Sequence, residues 1–408
     1  MKQALKKIIP SPCIKIVRHA LSHAGHASQK IPPSAQFFAH PEKQVFFGYY
    51  DISPFCPDDR FMLAGHAPSE NVTPHDSHPD LELGYYDLEQ DTPAFHPFAK
   101  TDCWNWQQGC RLQWLAGKGD GRVIYNNNND GQYSAIIQNV FSGEVEQELS
   151  VPVYSVSPDG TFALSLDFDR LHDCRPGYGY SHFSDKPHKD EIIHVDIRSG
   201  QAKIILTMDE VLEFSPHTSM KTANHYFNHL SISPSGARYM VTHLWVSSSG
   251  KRYSRLLVGS MKDENALACP NNSGHTSHYC WQGDDKVMIF GTHENQNSYY
   301  HLYDLIENTS TIIGQDLLTQ DGHPTWISED HLITDTYPDL LRQQHLLYYD
   351  TNTNNLRKLA SFHVPETFTA EVRCDLHPRI NTQKNKVCVD SVRNGRRAIC
   401  VVDIPWNS

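Results

Sequence analysis

Histidine is the residue type whose number and spacing first point to chemistry in this sequence. The chain has 25 histidines in 408 residues, and four of them occupy one position of a repeated phrase, five residues before its turn: His229, His278, His323 and His377. Because one position of a repeat recurs at the same place in each structural unit, we expect these imidazoles to line one side of a central site. Converging neutral imidazoles can bind Mn²⁺, Zn²⁺ or a similar ion. The alternative is that each histidine only forms a hydrogen bond where its strand begins.

A second set of reactive side chains lies in the stretch LDFDRLHDCRPGYGYSHF. It supplies five candidate site residues: Arg170, His172, Arg175, Tyr178 and Tyr180. Arginine offers a planar fork for a carboxylate, and tyrosine and histidine can transfer protons. This composition predicts a loop suited to an anionic sugar. The alternative is a loop that is held in place by its own Arg–Asp pairs.

A third polar stretch, TDTYPDLLRQQHLLYYD, interrupts a later strand region. Within it, Tyr337 and Arg342 are candidates for binding a substrate, although most polar groups of this stretch are expected on solvated faces.

The elements that must position these residues are short strands. Runs rich in Val, Ile, Tyr, Phe and Trp alternate with turns, and sustained helical periodicity is almost absent. A strand–turn–strand phrase recurs with turns at Pro54, Pro158, Pro234, Gly283, Ser328 and Thr382, and the divergent copy GCRLQWLAGKGDGRVIYNN fills the first gap. Copies at this spacing, with four strands in each, predict an all-β protein folded as a seven-bladed β-propeller.

The final copy ends at Ile404 without a fourth strand, which predicts how the ring closes. The segment IPPSAQFFAH, which precedes the first copy, would supply the missing strand and leave no free sheet edge. We therefore divide the chain into an N-terminal extension, residues 1–33, and a propeller, residues 34–408.

Composition and charge narrow the possible functions. The formal net charge of −12 argues against a general nucleic-acid binder, which needs a basic face. The ten cysteines form no C-x-x-C pair, as is typical of reduced thiols in a cytoplasmic protein. No secretory signal or membrane-spanning segment is expected. The basic residues within 1–22 are compatible only with peripheral contact with an anionic membrane.

The phrases NHLSISP, SHYCW and QDGHPTW resemble those of the TolB-like propellers, and in particular of the oligogalacturonate lyases, which use a divalent metal. The resemblance implies that His243, in VTHLW, acts as the catalytic base. It also implies that His278, Gln320 and His323 ligate the metal.

The sequence departs from the oligogalacturonate lyases at the last ligand. Thr325 stands where that family has a further histidine, so His377 or His229 would have to complete the site. The chain also resembles the ulvan lyases, which are propellers with His/Tyr/Arg sites. The Arg, His and Tyr residues of the loop 170–180 match such a metal-independent site.

These resemblances imply a polysaccharide or oligosaccharide lyase that cleaves a uronic-acid-containing glycan by β-elimination. Arg170, Arg175 or a metal (Mn²⁺, Zn²⁺ or Ca²⁺) would neutralise the uronate carboxylate. His243 or His229 would remove the C5 proton, and Tyr178 offers a phenol. Two alternatives stay open: a non-catalytic propeller scaffold for protein partners, and a hydrolase or transferase of bacterial surface-polysaccharide metabolism.

Overall fold

The computed structural model is a closed ring of seven four-stranded antiparallel sheets. It describes residues 21–70, 79–115, 120–129, 131–180, 188–263, 266–292 and 297–405. The all-β, seven-bladed propeller predicted from the repeat is therefore confirmed.

The strands of the first half, in chain order, begin with one that belongs to the last blade and continue through blades 1 to 3: β1 (Gln36–Phe38); β2 (Gln44–Phe46), β3 (Phe61–Ala67), β4 (Leu81–Asp87), β5 (Phe95–Thr101); β6 (Gln113–Trp114), β7 (Arg122–Asn129), β8 (Gln132–Asn139), β9 (Val145–Leu149); β10 (Ser155–Val156), β11 (Phe162–Ser165), β12 (Glu191–Asp196), β13 (Ala202–Thr207).

The strands of the second half form blades 4 to 7, and the last blade has three of its own: β14 (Asn224–Ile232), β15 (Arg238–Val246), β16 (Arg252–Ser260), β17 (Leu267–Asn271); β18 (Thr276–Gln282), β19 (Lys286–Thr292), β20 (Ser298–Asp304), β21 (Thr309–Ile313); β22 (Thr325–Trp326), β23 (His331–Asp335), β24 (Gln343–Asp350), β25 (Asn355–His363); β26 (Arg379–Ile380), β27 (Lys386–Arg393), β28 (Arg396–Asp403).

Hydrophobic packing holds each blade against its neighbours. One cluster joins Met240 and Val258 of blade 4 to Val287 and Ile289 of blade 5, all of them at most 2 % exposed. Side chains alternate between the two faces of each blade, and each face packs against one adjacent blade. No blade therefore has a hydrophobic core of its own. The ring is thus a rigid frame for whatever lies on its axis.

Ring closure follows the prediction. Strand β1 pairs antiparallel with β28, with Phe37 opposite Cys400, and becomes the fourth strand of blade 7. The preceding residues contact blade 6, where Lys30 forms a bridge with Ser361 and Gln343 donates to the carbonyl of Gly25. The division at residues 33 and 34 stays a prediction.

The described helices are short. Between β11 and β12 lies α1 (Phe168–Cys174), whose first turn is capped by the Asp167 carboxylate. Between β13 and β14 lie α2 (Met208–Glu213) and a 3₁₀ turn (Thr218–Met220), and a second 3₁₀ turn (Ala370–Val372) precedes β26. None of the helices in the described ranges has the length and apolarity that crossing a bilayer requires. The predicted membrane contact falls largely on residues 1–20, outside the described residues.

Candidate functional site

The four histidines of the repeat converge on the propeller axis. The ring centroids of His278 and His323 are 4.2 Å apart, and those of His323 and His377 are 4.4 Å apart. Tyr49 lies among them, with centroids 4.7 Å from His229 and 4.8 Å from His377. We call the space that these five side chains line the central funnel.

Irregular backbone aims two of these histidines at the funnel. His229 and His377 have φ of 54° and 46°, in the left-handed region that few non-glycine residues adopt. At His229 the pairing of β14 with β15 shifts register between Asn228 and Leu230, and such a bulge redirects the side chain. His278 lies in a similar shift, between Thr276 and Tyr279.

Acceptors hold the Nδ1 atom of three funnel histidines. His323 Nδ1 lies 2.9 Å from both Asp335 oxygens, and His278 Nδ1 lies 3.0 Å from Asp321 Oδ1. His377 Nδ1 lies 2.9 Å from the carbonyl oxygen of Gly48. Because carboxylates and carbonyls only accept, Nδ1 carries the proton of each neutral ring and Nε2 keeps the lone pair.

Two of these Nε2 atoms and one carboxylate form a ligand set. The Nε2 atoms of His323 and His377 are buried and have no hydrogen-bond partner. Ligand atoms of His323, Asp375 and His377 all lie within 4.8 Å of one another. Metal-binding histidines have this arrangement, with the second nitrogen bonded to a carboxylate or carbonyl. The donors fit a divalent cation, and two imidazoles favour Mn²⁺ or Zn²⁺ over Ca²⁺.

Burial and nearby charges set the protonation of the cluster. Burial lowers the pKa of His278 and takes the pKa values of His229 and His377 well below the usual range. Burial acts in the same direction on His323, but the Asp335 carboxylate outweighs it and raises that pKa.

Asp335 orients both ligand histidines at once. Its oxygens also accept from the backbone N–H groups of His323, at 2.7 Å, and His377, at 3.2 Å. We expect Asp335→Asn to weaken Mn²⁺ binding about 10- to 100-fold, since an amide cannot accept all these bonds. Isothermal titration would measure this loss, with the exposed Asp316→Asn as the control. Unchanged Mn²⁺ affinity in Asp335→Asn would mean that the ligand set is elsewhere.

His229 has a different environment from the other three. Its Nδ1 lies 3.2 Å from Tyr154 Oη, and its Nε2 lies 3.3 Å from Arg175 Nη1, 3.2 Å from Asn228 Nδ2 and 3.4 Å from Tyr49 Oη. The amide of Asn228 is oriented by its Oδ1, which accepts from the His229 backbone N–H. Since Nε2 faces donors, it is the unprotonated nitrogen and is left for proton transfer rather than for a metal.

An arginine and tyrosine wall adjoins the histidines. The Arg175 guanidinium lies 3.9 Å from the centre of the Tyr178 ring, and Arg373 donates to Tyr178 Oη and, at 2.6 Å, to Asp375. The ring of Tyr337 lies 5.7 Å from that of His323. Burial and the Asp375 charge raise the Tyr337 pKa well above its ordinary value. The wall therefore combines two guanidinium groups with two phenol rings.

The segment between β2 and β3 brings two further tyrosines to the axis. Gly48 has φ of 143°, and a Cβ there would lie 2.9 Å from the Gln108 backbone, so glycine is required. Tyr50 Oη donates to the carbonyl of Tyr279 and accepts from its N–H, which pins the segment to blade 5. Tyr49 then projects between His229 and His377, and its burial raises its pKa well above the ordinary value.

Several predicted site residues lie in other surroundings. His243 is fully buried on β15, where its Nε2 contacts His225 at 2.9 Å and its Nδ1 accepts from Arg255, and burial lowers its pKa to about 2. Gln320 is exposed. Tyr180 packs on Phe168 and accepts from Asn126 in the blade core. The structure therefore places His243 and Tyr180 outside the funnel, and within the described ranges it shows no hydrogen bond from Gln320 to a funnel histidine.

Arg170, His172 and Arg342 also have contacts outside the funnel. Arg170 pairs with Asp190 and donates to Asn224, which fastens α1 to blade 4. His172 lies half-buried on that helix, and Arg342 donates to the backbone carbonyls of 364, 365 and 368. The alternative that the loop is held in place by its own Arg–Asp pairs thus applies to Arg170, whereas Arg175 and Tyr178 of the same loop reach the funnel.

Comparisons with known proteins bear on the fold. An oligogalacturonate lyase solved in complex with manganese matches with a TM-score of 0.65 at 12 % identity, over 93 % of this chain and 96 % of that chain. An oligogalacturonate lyase from Vibrio parahaemolyticus matches with a TM-score of 0.64 at 13 % identity, over 93 % of this chain and 97 % of its own. TolB from Acinetobacter baumannii matches more weakly, with a TM-score of 0.40 at 12 % identity, over 79 % and 76 %.

The chain thus shares the seven-bladed propeller fold of oligogalacturonate lyases, the proteins that its motifs resemble. No protein-family model matches the sequence, and no curated protein matches it either. At this level of identity the likeness concerns the fold, and the resemblance to ulvan lyases stays a prediction.

Proposed function

We propose that this protein is a metal-dependent lyase that cleaves a uronic-acid-containing oligosaccharide or polysaccharide by β-elimination in the central funnel. The observation that carries the proposal is the pair of buried, unpartnered Nε2 atoms of His323 and His377 beside the Asp375 carboxylate. The manganese-bound oligogalacturonate lyase of the same fold supports it.

The chemistry of a uronate explains why these groups would be needed together. The C5 hydrogen is very weakly acidic while the neighbouring carboxylate is charged, so positive charge must meet that carboxylate. A divalent cation held by His323, His377 and Asp375, with His278 beside them, would supply part of it as a Lewis acid. Arg175 supplies the rest, because its guanidinium matches a carboxylate with two parallel hydrogen bonds.

The same residues provide a base. Arg175 and Asn228 both donate toward the His229 Nε2 lone pair, at 3.3 and 3.2 Å, and turning the Arg175 guanidinium toward a substrate carboxylate removes the charged one of these donors. Tyr154 and Asn228 keep the ring and its tautomer fixed meanwhile. His229 Nε2 then accepts the C5 proton as a general base.

The structure favours elimination over the two alternatives. Hydrolysis by inversion or retention needs two carboxyl groups free to flank the bond. Three carboxylates beside the funnel histidines are instead engaged: Asp321 by His278, Asp335 by His323, and Asp375 by Arg373. A scaffold gives no reason for two buried imidazole nitrogens to converge with a carboxylate in one place.

Product mass distinguishes the reactions directly. The protein, loaded with Mn²⁺, would be incubated with uronate trisaccharides, and the products would be weighed by mass spectrometry. Elimination gives two products whose masses add up to that of the substrate, whereas hydrolysis adds one water. Products that together contain one added water would contradict the proposal.

The proposed setting is a reducing compartment, as the cysteine pattern predicts. All nine cysteines of the described residues are free thiols, six of them buried: Cys56, Cys103, Cys110, Cys374, Cys388 and Cys400. Proteins of oxidising compartments tend instead to use such residues in disulfides.

A further inference from the structure

Two groups that can transfer protons lie side by side in the funnel. Tyr49 Oη is 3.4 Å from His229 Nε2, and their rings stack with centroids 4.7 Å apart and planes 12° apart. They come from opposite parts of the chain, since Tyr49 follows β2 and His229 lies in β14. Stacked rings with adjacent polar atoms present both atoms to a ligand from the same side.

Both rings are held in this arrangement by other side chains. Tyr49 also packs edge-on against His377, and His229 is bonded at Nδ1 to Tyr154. The Tyr49 hydroxyl has a long contact to His229 Nε2, and that nitrogen already faces donors on Arg175 and Asn228. The phenol proton is therefore weakly engaged and available to a ligand oxygen.

The separation of the two atoms limits the geometry of elimination. An acid and a base on opposite faces of a sugar have the thickness of the ring between them. Carboxyl pairs that flank a glycosidic bond are accordingly about 5 Å apart or more. At 3.4 Å, His229 Nε2 and Tyr49 Oη can only serve one face of the C4–C5 bond.

We infer that Tyr49 is a catalytic proton donor and that elimination is syn, an inference that rests on the proposed function. His229 Nε2 takes the C5 hydrogen as a proton, and the electron pair of that bond forms the C4=C5 double bond. The C4–O4 bond breaks, its electron pair stays on O4, and O4 takes the Tyr49 proton. One proton then passes from His229 Nε2 to Tyr49 Oη and restores both groups. No oxidant or other reactant is consumed.

This geometry selects a class of substrate. In glucuronate and mannuronate residues the C5 hydrogen and O4 lie on the same face of the ring, whereas in galacturonate residues they lie on opposite faces. A syn elimination acts on the first arrangement. The funnel therefore takes a glycan of gluco- or manno-configured uronate, which differs from the substrate in the name of its structural neighbour.

A pair of C4 epimers tests the inference with the unmodified protein. Methyl glucuronoside and methyl galacturonoside, each with the same glucosyl group on O4, differ only at C4 and give the same unsaturated product. We expect kcat/KM to be about 100-fold higher for the glucuronoside, with Mn²⁺ present, because only there do both proton-transfer groups reach their atoms. Equal or faster elimination from the galacturonoside would overturn the inference and leave the proposed function standing. No elimination from any uronate, including trimannuronate, would instead remove the proposed function.

A leaving-group series tests the role of Tyr49. We expect Tyr49→Phe to lose about 100-fold in kcat with the glucosyl group on O4 and less than about tenfold with a nitrophenyl group, whose oxygen leaves without protonation. Tyr50→Phe keeps the ring beside His323 but removes a hydroxyl that bonds to the Tyr279 backbone, so it should change the rates of both substrates equally. Equal losses for Tyr49→Phe on the two substrates would show that the phenol does not protonate O4.

Discussion

His377→Ala is expected to weaken Mn²⁺ binding by at least about 100-fold, because it removes a ligand rather than a residue that orients one. His377 Nε2 is buried without a partner and belongs to the set with His323 and Asp375. Isothermal titration with Mn²⁺, and electron paramagnetic resonance of the free ion, would measure the loss. The elimination rate should fall with metal occupancy.

Two further variants distinguish the loss of a metal ligand from a loss of folding. Because His377 has φ of 46°, His377→Asn keeps a residue that tolerates the left-handed region while shortening the side chain. His275→Ala removes an exposed imidazole three residues before His278 and should bind Mn²⁺ normally. Wild-type affinity in both His377 variants would contradict the assigned ligand set.

Arg175→Ala should reduce kcat/KM for a uronate substrate about 100- to 1,000-fold, the usual effect of removing one preorganised group that stabilises developing charge. Arg175 lies over Tyr178 and against His229 Nε2, so it meets the carboxylate beside the base. Arg175→Lys should recover little, since a lysine lacks the planar fork. Rates would be followed by the ultraviolet absorbance of the unsaturated uronate, together with Mn²⁺ titration.

Arg170→Ala is the matched comparison, since the same loop supplies both arginines. Arg170 contacts Asp190 and Asn224 rather than the funnel, so its loss should lower the free energy of unfolding and leave kcat/KM near wild type. A large loss of kcat/KM in Arg170→Ala together with an active Arg175→Ala would reverse the assignment.

The repeat was sufficient to predict the ring because each copy has its turn and strands in the same order. It predicted the closing strand β1 and the convergence of the four histidines, since equal register in neighbouring blades means equal position around the axis. Asp321 and Asp375 were overlooked, although each stands two residues before a funnel histidine in the phrases QDGHP and CDLHP. That shared D-x-H-P spacing was a usable signal.

Other parts of the site had no signal in the repeat. Tyr49 lies in an irregular segment between β2 and β3, and its position depends on Gly48 and on the bonds of Tyr50 to blade 5. Arg170 lies within α1 and Arg175 is the residue that ends it, so the two side chains have different surroundings. Predicting this difference from the sequence requires knowing that a short helix forms there. The catalytic-base role of His243 was inferred from the resemblance, and its strand is the second of its blade rather than the innermost.

The most direct test of metal-dependent elimination is the ultraviolet absorbance of the conjugated product during incubation with glucuronate, mannuronate and galacturonate oligosaccharides. The protein would be used as purified, after removal of metal with EDTA, and after return of Mn²⁺. We expect an increase in absorbance that EDTA abolishes and Mn²⁺ restores. An increase that EDTA leaves untouched, or no increase on any uronate with Mn²⁺ bound, would contradict it.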